Sequence, residues 1–70
     1  GIAAVLLTGA NAPGQGAIVY GNLIRSAPDT PSLLLDVTAS NNQVVANWIS
    51  VDIDPNNTDR NTVMNNYVLG

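Results

Sequence analysis

The stretch Asn42-Gln43-Val44-Val45-Ala46-Asn47-Trp48-Ile49 decides the fold, because altered copies of it stand on either side. Ala17-Ile18-Val19-Tyr20-Gly21-Asn22-Leu23-Ile24 precedes it, and Asn61-Thr62-Val63-Met64-Asn65-Asn66-Tyr67-Val68 follows, aligned without gaps. Each window places Val third, Asn sixth, a large apolar residue seventh and a β-branched residue eighth. A weaker second repeat relates Val5-Leu6-Leu7 to Leu33-Leu34-Leu35. Self-similarity at periods of roughly 20 to 50 residues marks solenoids, propellers or arrays.

Outward from these windows, the chain reads as strand and turn. Val, Ile and Thr dominate the apolar runs and suit extended backbone. Strands are expected over Ile2–Thr8, Ala17–Arg25, Ser32–Thr38, Gln43–Ile53 and Thr62–Leu69. Between them lie Ala12-Pro13-Gly14-Gln15-Gly16, Ala27-Pro28-Asp29-Thr30-Pro31, Ser40-Asn41-Asn42 and Asp54-Pro55-Asn56-Asn57. These are turn chemistry, since Pro fixes φ while Gly and Asn accept left-handed conformations. Mild helical composition occurs only at Ile2–Leu7, and Gly9 and Pro13 close that run within two turns. The expected class is all-β.

Repeats made only of strands point to a short parallel β-helix, a solenoid segment of two to three coils. In such a fold, equivalent residues stack about 4.8 Å apart and form ladders of like side chains. Val19–Val44–Val63 and Ile24–Ile49–Val68 would then fill the interior, with Asn22, Asn47 and Asn66 at the bend between them. Asn accepts the left-handed conformation, and stacked amides can bond along the ladder. A hairpin meander would call for Asn-Gly or Asp-Gly turns, and neither dipeptide occurs. A small Greek-key β-sandwich is the alternative, since five strands in 70 residues would suit it.

The pattern Asn-x-Val-x-x-Asn-(aromatic)-(Ile/Val), beside turns rich in Ser, Thr and Asn, resembles the right-handed parallel β-helix proteins. That group includes pectate-lyase-like enzymes and the tailspikes and tail fibres of bacteriophages. The resemblance covers roughly residues 16–69. It implies a structural and binding module of a tailspike or fibre-like adhesin, on a virion or outside the cell, that recognises cell-surface polysaccharide. It leaves open a fragment of a pectate-lyase-like carbohydrate-active enzyme, in which case a polysaccharide hydrolase or lyase, and a capsid-decorating or self-assembling fibrous protein. Members of the group usually have many more coils. Residues 1–70 therefore read as one module, either a piece of a longer chain or one chain of an oligomer, with a trimer favoured.

Composition sharpens these expectations. There is no Cys, His, Lys or Glu; Arg25 and Arg60 face five aspartates, and ten asparagines supply much of the polarity. Zinc sites of the usual ligands, thiol or imidazole nucleophiles and disulfides are excluded. A net charge of -3 argues against nucleic acid as partner, because phosphate neutralisation needs clustered cations. No membrane partner is expected, because the apolar opening Gly1–Leu7 is too short to span one. A domain of this size buries only about 60% of its unfolded surface, which favours a partner or further chain.

The candidate sites follow from alternation. Reading outward from the bend puts Ile49, Val51 and Ile53 inside and Trp48, Ser50, Asp52 and Asp54 outside. Leu23 and Tyr67 then flank Trp48, and Arg25 lies beside Ser50 within reach of Asp52. An aromatic ring next to carboxylates and an arginine suits a sugar, so Trp48, Tyr67, Asp52, Asp54 and Arg25 are the candidate carbohydrate-binding residues. Leu23, Trp48 and Tyr67 read first, however, as an oligomer-interface or intramolecular packing stripe, since a large exposed apolar patch most often marks a contact surface. Asp52, Asp54 and Asn56 match the start of a calcium loop but lack its sixth-position Gly and distal Glu, so no metal is expected. Asp36 reads as an exposed strand position or a carboxylate at a subunit contact. Thr8, Ser32 and Thr38 have no His or Lys base to activate them, and no catalytic residue or cofactor is expected. Asn56-Asn57-Thr58 fits the glycosylation acceptor pattern.

Overall fold

The computed structural model describes residues 2–55 and 59–69, and these are all-β. The acceptor pattern Asn56-Asn57-Thr58, the Asn56 of the calcium-like series and the turn residues Asn56-Asn57 lie outside the described residues. Nine short strands follow one another: β1 (Val5–Leu7), β2 (Ile18–Tyr20), β3 (Leu23–Ile24), β4 (Leu33–Leu35), β5 (Gln43–Val45), β6 (Trp48–Ile49), β7 (Ile53–Asp54), β8 (Thr62–Met64) and β9 (Tyr67–Val68). They form three sheets, ordered β1-β4-β7, β2-β5-β8 and β3-β6-β9. Every pair is parallel, with none of the antiparallel pairing a Greek-key sandwich requires among the described strands. The chain thus visits the three sheets in the same order three times.

The registers are those of the repeat windows. Val19 pairs with Val44 and Val44 with Val63; Ile24 pairs with Ile49 and Ile49 with Val68. The weaker repeat is also a register, since Val5, Leu6 and Leu7 lie opposite Leu33, Leu34 and Leu35.

Five expected strands become nine because the chain turns inside three of them. A two-residue bend at Gly21-Asn22, Ala46-Asn47 and Asn65-Asn66 separates β2 from β3, β5 from β6 and β8 from β9. A second break at 50–52 separates β6 from β7, so 43–53 is three strands rather than one. The left-handed residues at the bends are Gly21, Ala46 and Asn65, each one place before the expected Asn22, Asn47 and Asn66. The physical reason is division of labour. One residue reverses the backbone, and the next spends its amide on the neighbouring strand. The same pairing recurs at Asn41-Asn42 and Arg60-Asn61, where Asn41 and Arg60 are left-handed.

Burial follows position in the stack. Leu33, Leu35, Val44 and Ile49 on the middle strands β4, β5 and β6 are at most 1% exposed. Ile24, Ala39 and Ile53 complete the buried core, with Val5, Leu7 and Val19 packed against it. The expected interior ladders hold through Val44 and Ile49 but not to their ends, because Val63 and Val68 are exposed on strands covered from one side only.

The connections differ in length. The β2–β3, β5–β6 and β8–β9 bends are alike, whereas residues 8–17 form a longer β1–β2 link than 36–42 between β4 and β5. Within the longer link, Gln15 N–H donates to Ala12 C=O at 3.0 Å around Pro13-Gly14, with Gly14 at φ 76°. That is a type II turn, which Pro then Gly favours.

Candidate binding surface

The third sheet presents its outward face through alternation. Ile24 and Ile49 point inward, so Leu23 and Trp48 point away from the core, and Tyr67 follows in register. Leu23, Trp48 and Tyr67 are 58, 54 and 58% exposed. The rings of Trp48 and Tyr67 lie 4.9 Å apart between centroids and tilted by 42°. Across the bend, Tyr20, Val45 and Met64 form a second stack in register on β2, β5 and β8.

The asparagines behind this face hold it in place. Asn47 is fully buried, and its Oδ1 accepts from Asn22 N–H at 2.9 Å and from Asn22 Nδ2 at 3.2 Å. Asn47 N–H and Nδ2 both donate to Asn66 Oδ1 at 3.0 Å, and Nδ2 also donates to Val19 C=O at 2.9 Å. Asn66 Nδ2 repeats that last bond on Val44 C=O. No buried side-chain polar atom lacks a partner among the described residues. The strand carrying Trp48 is thereby locked to the strands on either side.

The structure brings together some of the expected residues and separates others. Leu23, Trp48 and Tyr67 form one stripe. Arg25 follows the Ile24–Ile49 pair and so lies over Ser50, as expected. Ser50 Oγ, however, accepts from Ser26 N–H at 2.8 Å rather than standing free on the outer face. Arg25 lines a hollow of about 260 Å³ with Ala3, Ala4, Ser26 and Thr30. Asp52 and Asp54 line another, of about 370 Å³, with Asp29, Pro31 and Val51. Asp54 pairs with Leu34 in the first sheet, so it shares no sheet with Trp48. Asp52 Oδ1 accepts from Ile53 N–H at 2.7 Å, a turn role.

Several polar clusters were not evident from the sequence reading. A second amide ladder runs from Asn42 Nδ2 to Asn61 Oδ1 at 3.0 Å, with Ala17 N–H donating to Asn42 Oδ1 at 2.8 Å. Its signal was present, because Asn42 and Asn61 share the first place of their windows. At the third corner, Ser26 Oγ donates to Thr30 C=O at 2.6 Å, and the buried Ser32 Oγ accepts from Val51 N–H at 3.1 Å. Asp29 joins Asp52 and Asp54 because Pro28-Asp29 turns the chain, with Asp29 at φ 61° and Thr30 N–H donating to Ala27 C=O.

Asp36 is neither a strand position nor free. Its Oδ1 accepts from Thr38 Oγ1 at 2.6 Å and Thr38 N–H at 2.8 Å, while Thr8 Oγ1 lies 3.0 Å from Thr38 Oγ1. The Thr38 hydroxyl, then the Thr8 hydroxyl, holds the carboxyl below the usual aspartate range. Among the described residues, no three Asp, Glu, His or Cys side chains are placed so that they could hold one metal ion.

Chemically, the surface offers a pair of exposed rings for stacking, two separate polar hollows and an adjoining apolar stripe. No family model, no curated protein and no solved structure matches the chain.

Proposed function

We propose that the chain is a short parallel β-helix module of a tailspike or fibre-like adhesin, acting outside the cell or on a virion. It holds cell-surface polysaccharide against Trp48 and Tyr67. The β-helix reading is supported by the repeated visit to three parallel sheets and by the in-register ladders. The short dimension of 14 Å also suits three strand layers, at about 4.8 Å between layers plus side chains.

The observation that carries the binding reading is the exposed, tilted Trp48–Tyr67 pair on a rigid backing. A sugar ring has an apolar C–H face that an aromatic ring covers, and such rings combine large contact area with little conformational freedom to lose. Locking β6 through Asn47 fixes the ring positions before ligand arrives. Leu23 extends the platform by one step, so an extended chain of sugars lies along the stripe.

Titration of Trp48 fluorescence with purified bacterial O-antigen fragments tests this. A saturable shift is expected, and calorimetric titration, which does not depend on the chain's single tryptophan, should show at least a tenfold loss of affinity in Trp48→Ala and in Tyr67→Ala. Binding unchanged in both variants would overturn the reading, as would no saturable shift with any surface polysaccharide tested.

A further inference from the structure

The outward residues of the second sheet change size along the stack. Tyr20, Val45 and Met64 stand in register on β2, β5 and β8, so one short side chain lies between two long ones. Tyr20 and Met64 are 68 and 50% exposed, whereas Val45 between them is half-buried. The column therefore steps down at its middle row. That step lies on the flank of the stack, with a strand on either side of it.

Beside the step stands the largest side chain of the next sheet. Val45 and Trp48 flank the bend Ala46-Asn47, and Trp48 is 54% exposed. Ala46 is the left-handed residue of that bend at φ 57°, where Gly21 and Asn65 serve the equivalent bends. Gly lacks the Cβ that opposes this conformation and Asn offsets it with local hydrogen bonds, but Ala does neither. Non-glycine residues held left-handed concentrate at ligand contacts, where the strain has a use. Ala46 is also half-buried, while Gly21 and Asn65 are exposed.

We infer that Val45 and Ala46 floor a seat for the C6 methyl group of a 6-deoxyhexose whose ring lies on Trp48, with Tyr20 and Met64 as its walls. This deepens the polysaccharide reading of the Trp48 surface and rests on it. The chemistry of the seat selects the substituent. Its side chains carry no charge, and the Tyr20 hydroxyl and the Trp48 indole N–H are their only strong hydrogen-bonding groups. A hydroxymethyl group placed between them would lose water without gaining a partner at the floor, and so would the carbonyl of an acetyl group. A methyl group bonded directly to the sugar ring has no such requirement. A contact of this size in an apolar site discriminates by about tenfold or more.

Calorimetric titration with matched methyl glycosides tests the seat. Methyl L-fucoside and methyl L-galactoside differ only at C6, as do methyl L-rhamnoside and methyl L-mannoside. In at least one pair the 6-deoxy member should bind about tenfold more tightly. Val45→Met fills the step with the side chain that Met64 already presents one row on, and it should abolish the preference by weakening the 6-deoxy member alone. Ala46→Gly removes part of the floor and relieves the left-handed backbone. It should reduce the preference while raising the thermal midpoint, which separates loss of the seat from loss of the fold. Equal binding within both pairs, or a preference that survives Val45→Met, would overturn the inference.

Trp48→Ala reads the underlying surface separately, because it should weaken both members of a pair. Where it does so and the parent shows no preference at C6, the polysaccharide surface stands and the seat falls. Where no glycoside binds, or Trp48→Ala binds them all as the parent does, both fall.

Discussion

Asn47 lies wholly inside the stack and donates from both its main-chain N–H and its Nδ2 to the single Oδ1 of Asn66, each over 3.0 Å. One amide oxygen thus ends two bonds, and the same arrangement one row earlier makes Asn47 Oδ1 the acceptor for Asn22. The bend is stabilised along the stack rather than within its own turn.

Removing this amide should therefore be costly. Asn47→Ala removes the amide's bonds to Asn22 N–H, Asn22 Nδ2, Val19 C=O and Asn66 Oδ1, and each such bond is worth about 0.5–1.5 kcal/mol. A loss of about 3 kcal/mol or more is expected by urea denaturation. Asn22→Ala, at an exposed position, should cost about 1 kcal/mol or less. Equal losses at the two positions would disprove the ladder's role.

Ala46 predicts the opposite sign. It is held at φ 57°, where the neighbouring repeats use Gly21 and Asn65. A left-handed L-residue costs roughly 1–2 kcal/mol, partly offset in glycine by the greater entropy of its unfolded chain. Ala46→Gly should raise stability by about 0.5–1 kcal/mol, seen as a higher thermal midpoint.

Two glycines separate conformational strain from lack of space. A Cβ on Gly16 would fall 2.1 Å from Asn41 C=O oxygen, a backbone atom that cannot swing aside. At Gly21 a Cβ meets nothing within 4 Å, but φ is +70°. Gly21→Ala should cost about 1–2 kcal/mol through backbone strain alone. Gly16→Ala should cost more, about 3 kcal/mol, because the rows must move apart. Denaturant midpoints of the two variants decide the order.

Asp36 gives the pH dependence. Its carboxyl lies below the ordinary value of about 3.9 when folded, because the Thr38 and Thr8 hydroxyls favour the ionised form. The unfolded chain therefore takes up the proton first as pH falls. The stabilisation is complete above about pH 4 and disappears as pH drops through the folded value. The thermal midpoint of the parent should exceed that of Asp36→Asn at neutral pH, and the two should converge below about pH 4. A gap that persists at low pH would assign the stabilisation elsewhere.

The registers were legible because side-chain identity recurs when strands stack: Val19, Val44 and Val63 announce one another. The strand breaks were less legible. Gln43–Ile53 is nearly continuous in β-forming composition, and Ser50–Asp52 turns through contacts with Ser26 and Ser32 that belong to distant parts of the chain. The same gap explains the candidate site. Period-two alternation correctly placed Trp48 outward, but it assumed one flat strand through Asp54. The corner carries Asp54 to the sheet of Leu34, away from the rings. Local pattern reports which face a residue takes, while corners formed by remote hydroxyls decide which sheet that face belongs to.

The unequal connections have a practical consequence. Residues 8–17 and 36–42 join the same two sheets with different lengths, while their flanking strands remain in register. Length there is decoupled from the stack, since a longer loop adds only a slowly growing closure cost. The Pro13-Gly14 tip is thus a grafting point, where a foreign peptide could be displayed without disturbing the rows. The two-residue bends at 21–22, 46–47 and 65–66 offer no such freedom, because an added residue would pull an amide off its ladder.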